Sequence, residues 1–257
     1  MMRRGFAAVA VVAMVGMSAA GCGRAAGYGR PAATAQDDKD YAGTYRVPER
    51  LGADGTTIVV GDPGAKMSVR LYEDPRCPVC ERFEMSGGAP ELRRASVRRE
   101  VRLEYTLASF LDERLGGSGS RKAVNALRAA VEVGKFAEYH DVLYAQQPAE
   151  SIDGFTDARL LELAGRVEGL RGPAFDSAVR TMKYRSFVSA AEKAYERAGG
   201  TKEPKGPGTP TVVINDVRIP VEYNGVLFDS SRFGRLLTAI RQAPDTWNDE
   251  IFSKRGA

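Results

Sequence analysis

The stretch Met67-Ser68-Val69-Arg70-Leu71-Tyr72-Glu73-Asp74-Pro75-Arg76-Cys77-Pro78-Val79-Cys80 carries the deciding pattern of this 257-residue chain. Met67, Val69 and Leu71 alternate with Ser68 and Arg70, which predicts a strand over Met67–Tyr72. Two cysteines with two residues between them follow at once. Beyond them Phe83, Leu92 and Val97 lie among charged residues in a helix-compatible stretch. Pro78 suits the first helical turn, where its missing N–H costs nothing. A thiol at a helix start feels unpaired backbone N–H groups and the positive end of the dipole, and both favour thiolate. Cysteine pKa values at such sites fall to roughly 3.5–7.5. Cys77 and Cys80 therefore read as a reactive dithiol.

Two blander readings compete. A structural disulfide over so short a loop restricts the unfolded chain little. A structural zinc site needs four ligands, and outside this pair the chain offers only Cys22 and a single histidine, His140. Copper(I), which takes soft sulfur ligands, stays as a minor option. No resident metal or cofactor is expected.

The N-terminus reads as an export leader. Arg3 and Arg4 precede an apolar run from Phe6 to Met17, which is shorter than a membrane span, and small residues follow. Ala19-Ala20-Gly21-Cys22 is similar to the lipobox of bacterial lipoproteins, with Cys22 as the lipidated residue and Ala19 where leucine is usual. The Arg3-Arg4 pair also resembles a twin-arginine signal. Export implies an oxidising compartment, where dithiol chemistry serves disulfide formation. Removing residues 1–21 takes away Arg3 and Arg4 and no acid, so the formal charge falls from +4 to +2. No basic run interleaved with aromatics points to nucleic acid.

From Gly23 to about Ala53 the chain has almost no aliphatic pattern and reads as a flexible tether. Thr56 to Val60 is a short strand, closed by the turn cluster Gly61-Asp62-Pro63-Gly64. After the dithiol helix comes a strand from Val101 to Leu107, so strand, helix and strand imply a parallel pair with a right-handed crossover. Helices follow over about 120–198. One carries Val124, Leu127 and Val131 and stops at Gly134. The next carries Phe136, Tyr139, His140 and Leu143, and another, capped by Thr156 or Asp157, carries Leu160 and Leu161. A last one opens at Pro173 and runs to Gly199-Gly200. His140 reads as a packed or surface helix residue, since no partner is visible in sequence. Thr211–Asn215 and Val217–Val221 are strands around an Asn215-Asp216 turn. Asp229 or Ser230 caps a final helix.

Together these motifs give the chain a resemblance to the DsbA-like thiol:disulfide oxidoreductases of the thioredoxin superfamily, in their secreted bacterial lipoprotein branch. It rests on Gly61-Asp62-Pro63 with Leu71 to Cys80, on the position of the helical block, and on Gly208-Thr209-Pro210-Thr211-Val212-Val213-Ile214-Asn215. It covers roughly residues 56–242. The resemblance implies an α/β thioredoxin-like fold with a helical insertion between its βαβ and ββα halves. The expected division is a signal peptide over 1–21 and a lipidated N-terminus with tether over 22–53. The thioredoxin-like domain then takes 54–118 and 200–245, the insertion 119–199, and a C-terminal tail 246–257.

The resemblance also implies that Pro210 is cis, packs against the dithiol, and leaves the Thr209 backbone to meet an extended substrate as an added strand would. Read alone, Thr209-Pro210 is a turn before a strand. Cys77 then forms the mixed disulfide and Cys80 resolves it, with Pro78 and Val79 completing the motif. Arg76 is either a cation that lowers the Cys77 pKa, which Asp74 partly opposes, or a solvated charge. Two departures are visible. Val79 stands where strongly oxidising relatives often carry histidine, and Leu71 stands where many relatives bury a proton-accepting acid, with Glu73 out of register. A moderately oxidising potential is the expectation. The implied partners are cysteines of secreted proteins, a membrane redox partner and, through Cys22, the membrane. A thiol reductase and a copper-binding or chaperone-like lipoprotein are the alternatives.

Overall fold

A computed structural model describes residues 39–252; the leader, Cys22 and the residues after Phe252 lie outside it. Its centre is a six-stranded sheet ordered β1-β2-β4-β3-β5-β6. The strands are β1 (Glu49–Leu51), β2 (Ile58–Gly61), β3 (Met67–Glu73), β4 (Val101–Leu107), β5 (Thr211–Ile214) and β6 (Val217–Arg218). The expected parallel pair is β3 and β4, and every other pairing is antiparallel. Alternation in β3 works as read: Met67, Val69 and Leu71 are buried, and Ser68 and Arg70 are half-buried.

Between β3 and β4 the chain forms two helices, α1 (Pro78–Ser86) and α2 (Ala89–Val97), where one continuous helix-compatible stretch was expected. The break falls at Gly87-Gly88 because another part of the chain comes too close for a side chain. A Cβ on Gly87 would sit 2.5 Å from the Leu227 carbonyl oxygen, and one on Gly88 would sit 2.6 Å from the Phe233 ring. Gly88 N–H donates to that same Leu227 carbonyl at 2.8 Å.

The insertion comprises α3 (Leu111–Leu115), α4 (Gly119–Val131), α5 (Phe136–Ala145), α6 (Asp157–Ala164), α7 (Pro173–Arg180) and α8 (Arg185–Gly199). Thr156 caps α6 by accepting from Arg159 N–H, and Gly134 takes positive φ after α4. The long helix expected from Pro173 to Gly199 is in fact α7 and α8. Buried Asn125 holds the break open: its Oδ1 accepts from Tyr184 N–H at 2.8 Å and its Nδ2 donates to the Ala178 carbonyl at 3.0 Å. No hydrophobic stripe encodes a contact of that kind.

Both ends of the expected domain are corrected. Residues 39–53 are not tether: β1 pairs with β2, Val47 is buried, and the Glu49 carboxylate accepts from Phe136 and Ala137 N–H at 2.8 Å each. That acid caps α5, since the first helical N–H groups need acceptors. After α9 (Ser230–Gln242), capped by Asp229, the expected tail forms α10 (Trp247–Phe252), with Trp247 buried in the main core. The second C-terminal strand is also shorter than read, and a 3-10 segment takes over at Val221–Phe228. No helix among the described residues is long and apolar enough to cross a membrane.

Candidate active site

Strand register builds this site. Tyr72 pairs antiparallel with Thr211, so the chain entering β5 lies beyond the end of β3, where Asp74 to Cys77 leave the sheet. Thr209-Pro210 is cis and Pro210 is buried. Cys77 is the N-cap residue of α1, with Pro78 in the first turn, and the Cys77 thiol donates to the Thr209 carbonyl at 3.5 Å. The proline loop and the dithiol, 132 positions apart in sequence, are thus neighbours. Val79 is exposed.

The two cysteines are free and behave oppositely. The Cys77 pKa is lowered to about 6. The hydrogen bond from the Cys80 thiol is the largest cause; burial opposes it, and Thr209 and the backbone N–H groups of Cys80 and Val79 add to the lowering. The Thr209 hydroxyl is buried with no other hydrogen-bond partner among the described residues, which leaves it free to donate to the thiolate. The helix start therefore contributes as expected, but behind the neighbouring thiol. Cys80 is fully buried, and desolvation pushes its pKa well above 9.0.

The solvated reading of Arg76 does not hold. Its side chain is 2% exposed, so it is no solvated charge. The guanidinium pairs with Asp112 at 3.0 Å and donates to the carbonyls of Gly116 at 2.8 Å and Glu150 at 3.1 Å. Asp112 in turn accepts from Ser120 and Arg121 N–H at the start of α4. Gln147 of the insertion donates to the Pro75 and Cys77 carbonyls at 2.8 and 3.1 Å. Arg76 and Gln147 bolt the insertion onto the dithiol segment. Asp74 is another anchor: it accepts from Arg76 N–H, Leu111 N–H and Ser120 Oγ, and burial raises its pKa to about 7.

Sequence reasoning missed a buried cluster behind the dithiol. Glu73, Glu84 and His140 are all buried. His140 Nε2 lies 3.0 Å from Glu73 Oε2, and its Nδ1 lies 3.9 Å from Glu84 Oε2. The histidine that showed no partner in sequence has two. Burial raises the Glu73 pKa to about 7 and that of Glu84 well above its ordinary value, and it lowers that of His140. Glu84 is four residues after Cys80 and so shares its helix face, a signal that was available. The three side chains could supply metal ligands, since one atom from each lies within 4.8 Å of the others. Arg93 already sits 2.6 Å from Glu84 and 3.1 Å from Asp141, so part of the cluster's negative charge is met from within the protein.

The family model described as Thioredoxin matches residues 53–227. The chain belongs to the thioredoxin family. Among solved structures, Chlamydia trachomatis DsbA is 19% identical with TM-score 0.58, the match covering 73% of this chain and 92% of that one. Oxidised BdbD from Bacillus subtilis gives 19% identity and TM-score 0.58, covering 75% and 96%. MdbA from Corynebacterium diphtheriae, a thiol-disulfide oxidoreductase, gives 20% identity and TM-score 0.57, covering 73% and 93%. A search of curated proteins returns no match. The fold is thus the DsbA-like form of the thioredoxin family. A cavity lined by Tyr223, Leu236 and Phe252 does not border the dithiol.

Proposed function

We propose that this protein is an extracytoplasmic thiol:disulfide oxidoreductase that oxidises cysteines of secreted proteins through Cys77 and Cys80. The observation that carries the reading is the opposed pair of thiols, one lowered to about 6 beside the Thr209 carbonyl and the other buried and raised well above 9.0. In the oxidising direction a substrate thiolate attacks Cys77 Sγ of the Cys77–Cys80 disulfide, and the S–S bond breaks toward Cys80. A second substrate thiolate then attacks the mixed disulfide and expels Cys77 as a thiolate. A low leaving-group pKa speeds that expulsion. The Thr209 backbone meets the substrate as an added strand.

The same shift supports the oxidising direction. Lowering Cys77 from 9.0 to about 6 stabilises the reduced form. At pH 7 that amounts to about 1.4 kcal/mol, or about 30 mV of oxidising potential. The equilibrium potential of the Cys77–Cys80 couple against glutathione tests it. A value above thioredoxin's, about −270 mV, is expected, and a value at or below thioredoxin's makes the protein a reductase. The copper-carrier reading is weakened because His140 is committed to Glu73 and Glu84.

Export and lipidation at Cys22 complete the proposal, with a membrane redox partner returning the dithiol to the disulfide. Radiolabelled palmitate should enter the wild-type protein and be lost in Cys22→Ser, which should leave the membrane fraction. Label retained in that variant eliminates the anchor.

A further inference from the structure

We propose that Tyr195, carried by the insertion on α8, is a positioning residue that holds the Gly206–Thr209 loop in the form an extended peptide substrate pairs with. It rests on the disulfide-exchange reading above and adds a device that favours a polypeptide thiol over a small one.

This loop has little shape of its own. Gly206 and Gly208 have φ of +93° and +82°, which glycine reaches freely and other residues rarely do. Pro207 between them has a fixed φ and no N–H to donate. Two free joints therefore stand just before Thr209, whose carbonyl meets the Cys77 thiol. A substrate pairing with a wandering backbone must first order it, and that entropy opposes binding.

Hydrogen bonds from two sides remove the freedom. Thr211 Oγ1 donates to the Pro207 and Gly208 carbonyls at 3.2 and 2.9 Å, and Arg218 donates to the Pro207 carbonyl at 2.8 Å. These ties come from β5 and β6, the strands the loop leads into. The Gly208 N–H is held from elsewhere, donating to the Tyr195 hydroxyl oxygen at 3.1 Å. The peptide group joining Pro207 to Gly208 is thus fixed at its carbonyl by the sheet and at its N–H by the insertion. The buried Tyr195 ring also closes over Gly206, where a Cβ would collide with it, so glycine is required there on two counts.

The same helix grips a second segment that touches the dithiol. Glu192, one turn before Tyr195 and on the same face, accepts from Ser109 N–H and from Ser109 Oγ at 2.9 Å. Phe110 stacks on the Tyr195 ring, with centroids 5.4 Å apart and planes 6° from parallel, and packs against the cluster of Cys77, Cys80, Leu111 and Tyr144. Through Glu192 and Tyr195, α8 links the turn after β4 to the proline loop. A small thiol needs none of this, since it attacks Cys77 Sγ with no backbone to pair. A peptide laid along Thr209 as an added strand does.

The test compares two reductants of the oxidised full chain, a peptide with one cysteine and dithiothreitol. Tyr195→Phe keeps the ring and removes the acceptor. It should lower the second-order rate with the peptide about three- to tenfold, the scale of one net hydrogen bond, and leave the rate with dithiothreitol within about twofold of wild type. The Cys77 thiolate titration should stay close to wild type, because its largest cause, the Cys80 thiol, is untouched. The same peptide N-methylated at the residues flanking its cysteine loses its pairing donors and should react equally with wild type and variant. An equal loss with dithiothreitol marks a merely structural residue and overturns the proposal, as does an undiminished rate with the unmodified peptide. If Tyr195→Phe does not fold, the wild type decides by hydrogen exchange. Gly208 is exposed, yet its amide should exchange at least about tenfold more slowly than an open one, and free exchange overturns the tie. Failure of the underlying exchange reading looks different: the wild-type disulfide would then yield to neither reductant.

Discussion

The two cysteines are three positions apart, yet they occupy opposite worlds. Cys77 caps α1, faces the Thr209 loop and is held as a thiolate near neutral pH; Cys80, one helical turn on, is sealed from water and held as a thiol. The difference teaches that spacing creates a redox pair, but partition of charge between its members comes from what packs on each side. On the outer side the Cys80 thiol, the Thr209 hydroxyl and backbone N–H groups stabilise the anion. On the inner side desolvation, with Glu73 nearby, disfavours it.

The largest expected break in that contrast is Cys77→Ser, which should abolish insulin reduction and oxidative refolding of a reduced substrate. Cys80→Ser should keep the first attack and accumulate a mixed disulfide on non-reducing gels. Activity unchanged in Cys77→Ser would end the dithiol mechanism.

Next comes the anchor beside the outer cysteine. Arg76→Ala leaves buried Asp112 only the half-exposed Arg121 at 3.5 Å as a cation, and breaking such a buried pair costs up to about 3–5 kcal/mol. Urea denaturation should register that loss, while the 240 nm thiolate titration of Cys77 stays close to wild type. A large rise of the Cys77 pKa without loss of stability would mark Arg76 as an electrostatic tuner.

A smaller effect is the pH dependence of the reduced protein. The Cys77 pKa is lower folded than unfolded, so its contribution to stability is present in full above pH 9 and is lost as pH falls through about 6. At pH 7 it should be about 1.4 kcal/mol, read as the stability difference between reduced wild type and Cys77→Ser. A difference that shrinks as pH rises from 6 to 9 contradicts the shift. The smallest change expected is Val79→His, which adds a donor at an exposed position of the motif. It should lower the Cys77 pKa further and make the potential more oxidising by about 30 mV or less, or one pKa unit. No change in potential would mean that the inner side alone sets the redox poise.

Much of this was legible in one dimension. Alternation over Met67–Tyr72, Pro78 after a cysteine, and Val101–Leu107 return as β3, the start of α1 and β4. Glu49 and Trp247 were not legible, since a three-residue strand and a six-residue helix are too short to show a period. Arg76 was misread because arginine next to charged neighbours looks solvated unless the distant Asp112 is known to face it. His140 looked partnerless for the same reason, its acids lying 67 and 56 positions away.

What the chain by itself determined was local: which residues form strands, where a helix opens, and that two thiols sit one turn apart at its start. Those outcomes depend on periodicity, capping and fixed backbone angles, all of which act within a few residues. The tertiary structure alone decided the environment of each sulfur. Burial, the approach of Thr209 and the meeting of Glu73, Glu84 and His140 arise from sheet register and helix packing, and electrostatics in a dry interior depends on distances that no local pattern encodes.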